Sequence, residues 1–148
     1  MEKVQVKFFR KNVGVKLPER AHESDACWDI RSNVSLRIPG RTGVTVSTGL
    51  KVALPVGWEL QIRPKSGLAS FSGITILNTP GTIDAGYRGE IMIIMYNTRI
   101  EPFPIKIGDK IAQMALKPVY DMKIIEVESE DFLGETPRGE GGFGSTGK

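Results

Sequence analysis

Apolar and polar residues alternate with period two along most of the chain. The alternation runs through residues 4–8, 34–38, 44–46, 50–54, 58–62, 74–77, 103–107 and 124–127. Side chains that switch faces at each step predict strands with one face against a core. Residues 91–96 depart from this pattern, being apolar at every position, which predicts a strand buried on both faces. Only residues 66–71 read as a helical turn, and a short one. Seventeen glycines and nine prolines fall at short intervals between these runs, as turns between short strands require. Many strands with no long helix predict an all-β sandwich or barrel of the jelly-roll kind.

Composition narrows the reading. A length of 148 residues suits one domain that buries about two thirds of its unfolded surface without staples. With 40% hydrophobic and 25% charged residues, the chain is neither disordered throughout nor fibrous. Its longest apolar run, residues 91–96, is far too short to span a bilayer as a helix. The first residues lack the apolar stretch of a signal peptide, so an intracellular protein is expected. One cysteine, Cys27, and one histidine, His22, exclude an internal disulfide and any multi-cysteine or His-rich metal site. Cys27 reads as a small buried filler and His22 as a loop residue. A net charge of +3 permits a polyanionic ligand without arguing for nucleic acid. No repeat and no second-domain linker is found.

The final eleven residues differ in kind. Residues 138–148 hold five glycines, one phenylalanine, one arginine and two hydroxyls. That composition predicts a mobile tail, either frayed or able to fold over a phosphorylated ligand. Gly142 to Lys148 mimics the first part of a P-loop, but no serine or threonine and no helix follow the lysine, so a P-loop is rejected. The acidic residues Glu128, Glu130, Asp131 and Glu135 read as a solvated approach to this tail.

Four inner segments carry candidate chemistry. Lys65, Ser66 and Gly67 follow a strand and open the helical turn. A cation, a hydroxyl and bare backbone there suit an anion, and suit equally an ordinary serine cap beside a solvated lysine. Residues 78–90 read as a hairpin carrying Asn78, Asp84, Tyr87 and Arg88 on one short connection. Asp84 as a turn carboxylate and Tyr87 as a core-edge aromatic are the plain alternatives. Asp29 enters an early strand, and Gln113 is a polar residue in an apolar one. Neither is informative alone.

In this order, Ala26-Cys27-Trp28-Asp29-Ile30, Pro64-Lys65-Ser66-Gly67-Leu68-Ala69, the stretch 78–90, the stretch 108–114 and the tail resemble the five motifs of the trimeric dUTPases. The resemblance spans nearly the whole chain. Cys27 and Trp28 stand where the family usually has glycine and tyrosine, and Lys65 where it usually has arginine. The last change replaces a forked donor with a point charge.

The resemblance implies a dUTPase-like jelly roll (a β-clip) in a homotrimer with active sites shared between subunits. Residues 1–137 would be the core and 138–148 a lid. It implies Mg²⁺-dependent hydrolysis of dUTP to dUMP and pyrophosphate, lowering dUTP and supplying dUMP for dTTP synthesis. Asp84 would activate the water that attacks the α-phosphorus. Asp29 would hold Mg²⁺ through water. Lys65, Ser66, Gly67 and Gln113 would bind phosphate oxygens, and Asn78, Thr82, Ile83 and Met92 would enclose uracil. Tyr87 would pack under the deoxyribose. Arg138, Phe143, Gly144, Ser145 and Thr146 would close over the nucleotide. Neither nucleic acid nor membrane is an expected partner. A cytoplasmic or nuclear setting is expected, with a viral or phage origin open. A dCTP deaminase-like enzyme of the same fold and a non-catalytic nucleotide sensor or partner-binding protein are the alternatives.

Overall fold

The computed structural model of the chain describes residues 3–142. Ten strands form two four-stranded antiparallel sheets and one two-stranded ribbon. The first sheet runs β1 (Lys7–Arg10), β4 (Gly43–Ala53), β8 (Glu90–Asn97), β6 (Ile74–Ile76). The second runs β2 (Trp28–Arg31), β10 (Lys110–Pro118), β5 (Trp58–Arg63), β7 (Gly81–Ile83). The ribbon pairs β3 (Leu36–Ile38) with β9 (Phe103–Ile105). This is the expected all-β, jelly-roll-like architecture. Among the described residues, no helix is long and apolar enough to cross a membrane.

The core lies between the layers. Val46, Leu50 and Val52 of β4 and Ile91, Ile93 and Met95 of β8 meet Ile30, Leu60, Ile62, Ile111 and Met114 of the second sheet. Side chains of this size contribute about 1.5–3 kcal/mol each on full burial, so the period-two pattern sets which face of each strand turns inward. The one fully buried amide, Asn97, donates to the carbonyls of Ile38 and Glu101 and accepts from the Arg99 amide. Its polarity is thus matched inside the core.

Several elements differ from the pattern reading. Residues 44–46 and 50–54, read as two strands, are one long β4 interrupted by a bulge: pairing with β8 slips between Ser47 and Lys51. The first strand begins at Lys7 rather than at residue 4. Strand β8 is not buried on both faces, for Ile91, Ile93 and Met95 are buried while Met92 is 40% exposed and Ile94 and Tyr96 are half-buried. Residues 124–127 form no strand and pair with no strand among the described residues; Ile124 and Ile125 are exposed. Cys27 is half-buried rather than a core filler. The turn after β5 is a π turn, Leu68–Ser72.

Candidate active site

The hairpin joining β6 to β8 is built around a third strand. Strand β6 pairs with β8, while β7 within the connection pairs with β5 of the other sheet. The connection therefore bridges both layers and walls a cleft between them. Asn78, Thr82, Ile83, Asp84, Tyr87 and Met92 all line that cleft, with Ile62, Ile76, Gly81, Glu90, Ile93 and Ile94 completing it. Its volume is about 210 Å³, below the usual range for a whole small-molecule ligand. One chain thus offers room for part of a ligand.

The turn that presents Asp84 is closed by the Tyr87 amide donating to the Asp84 carbonyl at 3.0 Å. The Asp84 side chain is solvent-exposed at the cleft wall. Tyr87 folds back so that its hydroxyl donates to the Glu90 carbonyl at 2.8 Å. Gly89 makes that fold possible: a Cβ there would lie 2.2 Å from the Tyr87 hydroxyl oxygen.

A second group of residues stands on the other sheet. Asp29 of β2 and Arg63 of β5 both pair with Gln113 of β10, so the three share one row across the strands. Gln113 donates to the Pro64 carbonyl at 2.9 Å and so pins the start of the Lys65-Ser66-Gly67 segment. Asp29 is clamped by two lysines. Lys110 meets one oxygen at 2.7 Å and Lys65 meets the other. Burial alone would raise the Asp29 pKa, but the hydrogen bonds and charges of Lys110 and Lys65 outweigh it and hold the carboxyl below its ordinary value. No side chain caps the helical turn, so Ser66 is not spent as its cap, and both Ser66 and Gly67 are exposed.

None of Asp29, Lys65, Ser66, Gly67 and Gln113 lines the hairpin cleft. Within one chain the hairpin cleft and the cation-rich row are thus two separate features. Arg138 is exposed and its Nε donates to the Gly141 carbonyl at 2.8 Å. Phe143, Gly144, Ser145 and Thr146 lie outside the described residues. Two contributors escaped the sequence reading. Lys110 and Glu90 both sit inside the quoted motifs, but their partners are remote in sequence: Asp29 for the first, and Lys11, Ser47 and Gly49 for the second.

A divalent cation has few protein donors here. The described residues gather no group of three or more histidine, cysteine, aspartate or glutamate side chains. One ionised carboxylate beside a cation-rich row fits a hard ion that arrives with phosphate and water oxygens around it, not one caged by protein.

Comparison with known proteins supplies the context. Residues 14–147 match the dUTPase family model. A deoxyuridine 5'-triphosphate nucleotidohydrolase of Fusobacterium nucleatum is 46% identical over 150 residues, covering all of both chains. The dUTPase of Staphylococcus bacteriophage 80alpha, solved with dUPNHPP, superposes with a TM-score of 0.87 at 25% identity, over 97% of this chain and 99% of that one. A mutant dUTPase of phage phi11 of S. aureus, solved with a structural Mg(II) ion, superposes at a TM-score of 0.79 and 24% identity, over 84% of this chain and 97% of that one.

Proposed function

The chain belongs to the dUTPase family, and from that premise we propose how its residues carry out the family's reaction, hydrolysis of dUTP to dUMP and pyrophosphate. The observation that carries the reading is Asp84, an exposed carboxylate with no side-chain partner among the described residues, on the wall of a cleft whose other walls are Asn78, Thr82, Ile83, Tyr87 and Met92. Uracil enters that cleft. The Asn78 amide and the β7 backbone pair with its polar edge, and a narrow hairpin has no space for the thymine methyl. Cytosine presents the wrong donor and acceptor pattern and leaves polar groups unpaired, which discriminates strongly. Tyr87 packs under the deoxyribose and excludes a 2′-hydroxyl.

Asp84 accepts the proton of a water that attacks the α-phosphorus in line. No covalent nucleophile is needed, because positioning and charge neutralisation carry phosphoanhydride hydrolysis. Lys65, Ser66, Gly67 and Gln113 hold the phosphate oxygens. Asp29 would hold Mg²⁺ through water, and that ion, when bound with the triphosphate, would withdraw charge from the phosphate oxygens. The tail from Arg138, with Phe143 on the uracil face and Gly144, Ser145 and Thr146 on the phosphates, completes the enclosure over a core of residues 1–137.

The two half-sites come together by assembly in this reading. Three copies form a ring in which one subunit supplies Asp29, Lys65, Ser66, Gly67 and Gln113, a second the hairpin and a third the tail. The split between the cleft and the cation-rich row supports it, as do the exposed apolar residues 119–133. The substrate is a nucleotide of the cellular pool, which puts the enzyme inside a cell.

Asp84→Asn tests the chemistry. The amide keeps shape but cannot take a proton, so kcat should fall about 10²–10⁴-fold. Affinity for a non-hydrolysable dUTP analogue should stay within a few-fold. Retained turnover would remove Asp84 from the chemistry. Release of ammonia from dCTP in place of pyrophosphate from dUTP would favour the deaminase alternative.

A further inference from the structure

Glu90, the first residue of β8, ties together three parts of the chain. Its side chain is 14% exposed. Oε1 accepts from the Gly49 amide at 2.8 Å and from the Ser47 hydroxyl. Oε2 meets Lys11 Nζ at 2.8 Å. Its backbone carbonyl accepts the Tyr87 hydroxyl at 2.8 Å, and the residue itself lines the cleft beside Tyr87 and Asp84.

The need for this carboxylate arises in β4. Pairing with β8 passes from Ser47 opposite Met92 to Lys51 opposite Glu90, so β4 carries more residues than β8 in that interval and bulges. Gly49, at φ 69°, lies in the bulge, where a side chain would strike Val15 at 2.5 Å. A bulge leaves backbone groups without ladder partners. Glu90 accepts from one of them and so fixes where β8 begins relative to β4. The Tyr87 ring hangs from that fixed point through its hydroxyl.

We propose that Glu90 is a positioning residue for sugar selection: by anchoring the start of β8 to the β4 bulge and to Lys11, it holds the Tyr87 ring rigidly under the sugar. This rests on the reading of Tyr87 given above. A ring tethered to a fixed carbonyl rejects the extra oxygen of a ribose. A ring on a loosened tether yields to it. The carboxylate's own bonds go to Gly49, Ser47 and Lys11, so it acts through the Tyr87 tether.

The test compares kcat/KM for dUTP and UTP in wild type, Glu90→Ala, Glu90→Gln and Tyr87→Ala, with the thermal midpoint of each. Glu90→Ala should raise KM for dUTP with a smaller change in kcat, and shift the UTP to dUTP ratio toward UTP by about tenfold. Glu90→Gln keeps an oxygen for Gly49 and Ser47 and should recover most of the selectivity. A merely structural role would lower the midpoint and the active fraction but leave the ratio at its wild-type value. A wild-type ratio in Glu90→Ala, with a shifted ratio in Tyr87→Ala, overturns the inference alone. An unchanged ratio in Tyr87→Ala removes the Tyr87 reading and the inference with it. Where Glu90→Ala does not fold, Ser47→Ala and Lys11→Ala each remove one contact and should shift the ratio the same way by a smaller factor. Wild-type ratios in both overturn the proposal.

Discussion

Lys65 and Glu90 show how one side chain's partners decide what it can do. Lys65 pairs with Asp29 while its own side chain is 26% exposed. Asp29 is only 11% exposed, but Lys110 meets it as well, so a triphosphate can draw Lys65 away without leaving that carboxylate unpaired. Glu90 is more enclosed. Burial alone would raise its pKa, but the bonds from Lys11, Ser47 and Gly49 outweigh burial and lower it from the ordinary 4.5. A carboxyl lowered on folding adds stability that is complete above its unfolded pKa and lost as pH falls through its folded one. The thermal midpoint of wild type should therefore exceed that of Glu90→Gln by most above the ordinary carboxyl value of 4.5, and the gap should close as the pH falls below it. Asp29 and Glu19 are lowered as well, but both are present in the two proteins and cancel in the difference. A gap that does not change with pH would mean that charge at Glu90 adds nothing to the fold. Asn78, Thr82, Ile83, Asp84, Tyr87 and Met92 could be grouped from sequence because one short stretch holds them all. Glu90 and Lys110 could not be linked to their partners, since a bulge and a strand crossing bring those together and neither leaves a mark on local periodicity.

Strands were legible wherever one face meets the core and the other meets water, as in β5. Where both faces are apolar the pattern misled, and it misled for a reason. In β8 the outward Met92, Ile94 and Tyr96 are only partly covered by the described residues, and residues 124–127 have the alternation of a strand but pair with no strand among the described residues. On the trimer reading, sequence records burial in the assembly, whereas one chain supplies only part of the burying surface. Strand β7 was missed because three residues carry no readable period. The same reasoning gives the segment after β10 a role. Tyr120, Met122, Ile124, Ile125, Phe132 and Leu133 are each more than two thirds exposed, and large exposed apolar surface marks a site of interaction. On the trimer reading, neighbouring copies cover it. The double variant Ile124→Glu, Ile125→Glu should keep the far-ultraviolet spectrum of the β core. By light scattering it should lose the trimer, and its activity should fall with the trimer. An intact, active trimer in that variant would show that these side chains lie outside the interface.

At the scale of the whole molecule, the separation of the cleft from the cation-rich row sets the logic. If each site takes its hairpin from one subunit and its tail from another, two inactive proteins should rescue each other. One is Asp84→Asn, with an intact tail. The other ends after Pro137 and keeps Asp84. Alone, each assembles sites that all lack one part. Mixed by refolding or co-expression, any trimer containing both kinds has one place where a sound hairpin faces a tail from its neighbour. With equal amounts, three quarters of the trimers are mixed and each has one working site in three. Activity should therefore return to about a quarter of wild type, by counting arrangements around a three-fold ring. A tail folding back over its own subunit's hairpin gives no such gain, because no subunit then has both parts. The size of the return matters as much as its presence. A value near a quarter supports one tail from one neighbour for each site, whereas mixed trimers that stay silent contradict sharing outright and leave the split between the half-sites to be closed within a single chain.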